Sequence, residues 1–244
     1  MSESAFAPRK KESSPEVQEA ADAVRALEQP LTQILNTLRV QIESGEYAAI
    51  IGEDASGRIP ALVLGKTIDA IYEKANRGKP ILRFVAGSRY LHGWEGEEKQ
   101  TSLEHQVDRI MQESGMTDEG GFGDNPTLKK ILLVTDIIES GQSVVPLINA
   151  VHANGLKVDV AAVSLITKTG KFEGLPLMPG ELLAFGGEHK PLIFGNDASG
   201  VWKRPEDLFA RRDWDDRVRP LVAEARAEGK KLAERLAESF SAVT

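Results

Sequence analysis

Apolar residues fall into two rhythms along this chain. Four short runs are almost continuously apolar: 47–52 (YAAIIG), 81–85 (ILRFV), 131–134 (ILLV) and 157–165 (KVDVAAVSL). Runs of that length bounded by polar turns predict strands, buried on both faces in a parallel sheet, except that Arg83 in the 81–85 run needs a partner or a strand-edge position with its head in solvent. Between and around them, apolar residues recur every three or four positions, as on one face of a helix. Val17, Ala21, Val24 and Leu27 predict a first helix, with Ser14 as its cap and Pro15 in its first turn. Pro30 interrupts it. Leu31, Ile34, Leu35, Leu38 and Ile42 predict a second helix over 31–44, ended by Gly45.

The order is strand, helix, strand, then a long polar stretch, then strand, helix, strand. Leu62, Ile68 and Ile71 mark the helix after the first strand, running to about Lys74. Val144, Leu147, Ile148 and Val151 mark the one after 131–134, which Gly155 ends. Strands joined by helical crossovers predict an α/β fold with a mostly parallel, Rossmann-like sheet, its ligands outside the carboxyl ends of the strands. The 86–129 stretch exceeds a normal loop, so it is partly structured or a functional lid. Within it, Leu103, Val107, Ile110 and Met111 predict a helix over 102–113. Residues 182–185 and 191–194 predict short strands of a small flap. Leu221, Ala225, Leu232, Leu236 and Phe240 predict a final helix over 214–240, bent or split by Pro220 and Gly229. It packs on the domain or on a second copy of the chain, as in a homodimer. The organisation expected is a disordered tail (1–14), a main domain (15–205) carrying the 86–129 insertion, and a helical extension (206–244).

Composition narrows the chemistry. The 244 residues include no cysteine, which excludes disulfides, thiol nucleophiles and thiolate metal sites. The four histidines, His92, His105, His152 and His189, have no ligand spacing, which argues against a protein-built zinc site. A formal charge of −7 argues against broad nucleic-acid binding. No apolar run reaches membrane-span length and the polar start is no signal peptide, so the expected compartment is the cytoplasm and no membrane partner is expected.

Two turns carry the functional signal. After 131–134 come Thr135 and Asp136, then Glu139-Ser140-Gly141-Gln142-Ser143, then a helix. A small polar turn at a helix N-terminus presents N–H groups and positive potential to an anion. Asp136 at the strand's carboxyl end can accept hydroxyl hydrogen bonds or help hold a hydrated cation. The first strand likewise leads into Glu53-Asp54-Ala55-Ser56-Gly57-Arg58 and a helix start at Pro60-Ala61. An ordinary βα turn with an incidental acid satisfies each pattern taken singly.

Together, LVTDIIESGQS (133–143) and the turn at 52–61 resemble the type I phosphoribosyltransferase family, over roughly residues 31–200. The first resembles its phosphoribosyl-diphosphate signature, an apolar strand, two acids, three variable residues, then Thr/Ser-Gly-any-Thr/Ser. Thr135 stands where the first acid is usual. The resemblance implies that Ser140, Gly141, Gln142 and Ser143 bind a 5′-phosphate and that Asp136 faces the ribose hydroxyls. It implies that Asp54, Ala55, Ser56, Gly57 and Arg58, with Ser88 and Arg89 from the insertion, take the diphosphate. Mg²⁺ is the implied cofactor, held largely by diphosphate and ribose, with no metal site built from protein. Glu139 matches an acid near the incoming base in purine-type members, although a solvent-facing glutamate fits as well. Phe194 and Trp202 are candidates to stack on the base, or members of the core. The implied activity is transfer of the 5-phosphoribosyl group to a nitrogenous base, with the match at Glu139 pointing to a purine, and release of diphosphate. The alternative is a non-catalytic regulator that binds phosphoribosyl diphosphate or a nucleotide, which the loss of an acid at Thr135 leaves open.

Overall fold

The structure, a computed structural model, describes residues 14–53, 57–85, 97–114, 130–166, 174–187, 201–202, 211–212, 216 and 218–242. Three helices open it: α1 (Pro15–Arg25), α2 (Glu28–Thr37) and α3 (Arg39–Ser44). The Ser14 hydroxyl accepts the Val17 N–H at 3.4 Å, capping α1 as expected. The break falls at Ala26–Leu27, and Pro30 lies in the first turn of α2, where a missing N–H costs nothing.

Strands β1 (Tyr47–Glu53), β2 (Ile81–Val85), β3 (Lys130–Ile138), β4 (Lys157–Leu165) and β5 (Leu183–Phe185) form one five-stranded sheet in the order β2-β1-β3-β4-β5. Every pairing in it is parallel. Four further helices lie among the described residues: α4 (Arg58–Lys74), α5 (Glu97–Ser114), α6 (Val145–Ala153) and α7 (Val218–Ala242). The fold is therefore α/β, a parallel sheet between two layers of helices, as the alternation of rhythms predicts. The crossover from β1 to β2 runs one way across the sheet and that from β3 to β4 the other. With one shared hand, their helices must cover opposite faces. Tyr47, Ile50, Leu132, Val134, Ala161 and Val163 project to the face covered by α2, α4 and α7. Ala49, Ile51, Ile131, Leu133, Val158 and Val160 project to the face covered by α5 and α6.

Several elements differ from expectation. Strand β3 continues through Thr135 and Asp136 to Ile138, because parallel pairing to β4 continues beyond the apolar run. Leu183–Phe185 belongs to no flap; it pairs with β4 as the fifth strand of the main sheet. Pro220 sits in the first turn of α7 and Gly229 within it, and neither splits the helix. A Cβ on Gly229 would stand 3.3 Å from Val63, so glycine lets α7 cross close over α4. The helix inside 86–129 is the crossover α5, whose Leu103, Val107 and Ile110 are core. The remaining parts of that segment lie outside the described residues. A two-stranded antiparallel pair, β6 (Val201–Trp202) with β7 (Arg211–Arg212), stands apart from the main sheet in its pairing. No helix among the described residues is long and apolar enough to cross a membrane.

The amino end of the sheet is closed by buried polar groups. Asp159, fully buried, accepts the Tyr47 hydroxyl at 2.7 Å, the Lys130 ammonium at 3.1 Å and the Leu182 N–H at 2.8 Å. Burial, then the Asp159 charge, drives the Tyr47 phenol far above its ordinary value. Glu181 accepts the N–H groups of Val158 and Met178 and pairs with His152 at 3.0 Å. These bonds tie the segment before β5 to β4 and α6, and fix strand register.

Helix α7 is joined to the first helices by charge. Arg25 Nε donates to Glu228 Oε1 at 3.1 Å, and Lys231 Nζ donates to its other oxygen at 3.1 Å. Burial works to raise the Glu228 carboxyl, but these two cations outweigh it and hold it below its ordinary 4.5. A depressed carboxylate stabilises the fold above its unfolded pKa, and the contribution is lost as pH falls through the folded value. Arg25 is half-exposed, so screening reduces the gain. Glu228→Gln is expected to cost about 1 kcal/mol at pH 7. In urea unfolding the gap from wild type should narrow as the pH falls below 4.5. An equal gap at pH 7 and pH 3 rules out the ionised pair as its source.

Candidate functional site

Helices α4 and α6 start at the carboxyl ends of β1 and β3, the neighbouring strands from which the chain departs to opposite faces. In open α/β sheets such a reversal leaves a crevice for ligand. Neither helix has a side-chain cap: Gly57 and Val144 occupy the N-cap positions without a capping hydrogen bond. Each carries a proline in its first turn, Pro60 and Pro146. Two helices thus start at the ends of neighbouring strands, each without a side-chain cap on its positive end.

The turn before α6 is built around Gly141, buried and left-handed at φ 75°. Its carbonyl accepts the N–H groups of Val144 and Val145 at 3.0 and 2.9 Å. Among the described residues, the N–H groups of Ser140, Gly141, Gln142 and Ser143 take no acceptor. Ser140 and Ser143 are half-buried; Glu139 and Gln142 are exposed. This is a small concave set of donors at a helix start, suited to an anion. Asp136 lies just before it, 6 % exposed, with one carboxylate oxygen accepting the Ile137 N–H at 2.8 Å.

The turn before α4 approaches the same point from β1. A Cβ on Gly57 would fall 2.6 Å from the Glu53 carbonyl oxygen and 2.9 Å from that of Val134. Only glycine lets this turn lie against the end of β3. Arg58 follows, half-buried, its guanidinium centred 4.2 Å above the Phe84 ring of β2. Gly57, Arg58, Asp136 and the 139–143 turn therefore belong to one edge of the sheet. Asp54, Ala55, Ser56, Ser88, Arg89 and Phe194 lie outside the described residues. Trp202 is in β6, paired with Arg211 in register, and its side chain is outside what is described.

One residue at this edge is missing from the sequence-derived set. The Thr135 hydroxyl donates to Glu53 Oε2 at 2.7 Å, joining the ends of β3 and β1. Glu53 is 5 % exposed. It was visible in the sequence only as the residue after a strand glycine, and its partner is 82 positions away. Among the described residues no group of three or more His, Asp or Glu side chains could hold a metal. Among the described residues at this edge, the carboxylates of Glu53, Asp136 and Glu139 are hard oxygen donors, the type that suits a hydrated divalent cation carried by a ligand. A separate groove of about 390 Å³ lies between α4 and α7, with Ile59, Leu62, Val63 and Ala225 among its lining residues. Lys66, Arg226 and Lys230 also line it, and it has none of the donors just described.

Comparison with protein-family models, curated protein sequences and solved structures gives no match to this chain. The site is therefore characterised by its own geometry. Gly57→Ala should force the β1–α4 turn away from β3, because the added carbon meets backbone that cannot rotate aside. The expected cost is about 1–3 kcal/mol in urea unfolding. A variant as stable as wild type means that the turn has room to spare.

Proposed function

We propose that the chain binds phosphoribosyl diphosphate at the carboxyl edge of β1 and β3 and transfers its phosphoribosyl group to a nitrogenous base. The observation that carries this reading is the convergence of two uncapped helix N-termini on one strand boundary, each preceded by a glycine turn. A ligand with two separate anionic groups uses both; a simple monophosphate uses one. In this reading the donors of Ser140, Gly141, Gln142 and Ser143 take the 5′-phosphate. Asp136 accepts the ribose hydroxyls. The turn at Gly57 and Arg58, with the N-terminus of α4, takes the diphosphate.

The bond that breaks joins the ribose anomeric carbon to the diphosphate oxygen. Its electron pair leaves with the diphosphate, and the sugar gains positive charge until the base nitrogen attacks. Mg²⁺, when bound, neutralises the diphosphate and makes it a better leaving group. The protein's own share is placement and field. Fixed N–H groups orient both ends of the ligand, and the Asp136 carboxylate lies on the side where positive charge develops. Glu139, exposed one residue past β3, is available to a base nitrogen as a proton acceptor.

Thr135 favours a second reading. With a hydroxyl in place of the first signature acid, a regulator that binds the same ligand without turnover needs no further change. The two readings separate in one assay. Incubated with phosphoribosyl diphosphate, Mg²⁺ and each common purine and pyrimidine, the protein is expected to release diphosphate in a base-dependent manner. Asp136→Asn should lower that release at least about 100-fold, the scale of losing one transition-state charge contact. Binding by calorimetry with no release for any base transfers the conclusion to the regulator. No heat and no thermal shift at millimolar ligand removes both.

A further inference from the structure

Strand register puts Glu53 of β1 beside Thr135 of β3: Gly52 pairs with Val134, and the next residue on each strand points to the same face. The strands are about 4.8 Å apart. A glutamate spans that gap, and the 2.7 Å bond from Thr135 Oγ1 shows where its carboxylate arrives. It arrives at the side chain of the residue that occupies the place of the first signature acid. The two groups are buried together, Thr135 completely and Glu53 to 5 % exposure. A donated hydroxyl hydrogen bond fixes the carboxylate's position and adds no second charge beside it. An acid at position 135 would instead set two carboxylates within hydrogen-bond distance, where both cannot stay charged. Glu53 and an acid at 135 exclude each other, whereas Glu53 and a hydroxyl fit.

We propose that Glu53 supplies from β1 the negative charge that the resembled signature draws from β3, with Thr135 as its positioning residue. This rests on the phosphoribosyl diphosphate reading of the site. On that basis Thr135 is no sign of a lost activity: the charge has moved one strand across, 82 positions away in sequence, to the same edge beside Asp136. Glu53 also stands between the β1 and β3 ends, so its field acts on the ribose and on a cation carried by the diphosphate.

The test is calorimetric titration of the full chain with phosphoribosyl diphosphate at several Mg²⁺ concentrations. Glu53→Gln keeps the acceptor oxygen for Thr135 and the side-chain shape, and removes only the charge. It is expected to bind about tenfold more weakly, with a flatter Mg²⁺ dependence. The double variant Glu53→Gln/Thr135→Asp returns a carboxylate from β3 and is expected to recover most of the loss. Thr135→Val, which leaves the charge and removes its donor, should fall between wild type and Glu53→Gln. Glu53→Gln binding as tightly as wild type overturns the proposal, because a purely structural hydrogen bond survives that change. A double variant no better than Glu53→Gln also overturns it. If Glu53→Gln does not fold, Thr135→Val binding as wild type overturns the positioning role. A wild-type chain that binds no phosphoribosyl diphosphate overturns the reading on which the proposal rests, and the proposal with it.

Discussion

Parallel pairing of β1 with β3 is the constraint on which the rest of this molecule depends. Two strands side by side, each followed by a helix on the opposite face, leave their exits diverging. Backbone must turn sharply at both exits, and the space between cannot be filled by the sheet itself. Gly57 meets that demand by lying against the end of β3, and Gly141 meets it with a left-handed turn. The second of these turns also leaves the N–H groups of 140–143 without an acceptor among the described residues. Geometry that the fold needs for closure thus becomes the chemistry of the edge.

The opposite edge answers a different need. At the amino end, Asp159, Tyr47, Lys130 and Glu181 satisfy one another and nearby N–H groups. Nothing in that set is left for a ligand, and its bonds hold β4 and β5 in register. Tyr72 adds to it from α4: its hydroxyl accepts the Tyr47 N–H, and burial pushes its phenol up to about 12. Buried, partnered charge therefore gathers at the amino end of the strands, and the uncapped helix starts at the carboxyl end. The hydrogen-bonded end carries buried charge with partners, which fixes structure. At the other end the N–H groups of 140–143 have no acceptor among the described residues.

Much of this was legible in the sequence, for a physical reason. Strands buried on both faces must be apolar throughout, so β1, the first half of β3 and β4 announce themselves. The turns at 57 and 139–143 are equally visible, because glycine and small polar residues between an apolar strand and an apolar helix mark a βα turn. What was not legible depends on neighbours in space. Thr135 and Asp136 end the apolar run, yet the strand continues because β4 pairs with it as far as Leu165. Leu183–Phe185 is too short to reveal which sheet it joins. Pro220 and Gly229 carry a local penalty that context removes, one by position in the first turn and the other by contact with Val63. The bond between Glu53 and Thr135 could be found only after β1 and β3 were known to be adjacent.

The last helix has a consequence for how the chain comes into being. Arg25 bonds Glu228, Glu28 bonds Arg235, and Arg39 stacks on Phe240, so α7 closes over the first three helices across some 200 positions of sequence. Until α7 has left the ribosome, the face of the sheet shared by α2 and α4 lacks Ala225, Leu232, Leu236 and Phe240. At about 5–20 residues per second, the stretch from the end of β4 to Phe240 takes roughly 4–15 seconds to make, and that apolar surface stays open meanwhile. Contacts this distant also slow the final docking step. Over that interval the growing chain carries an unfinished core.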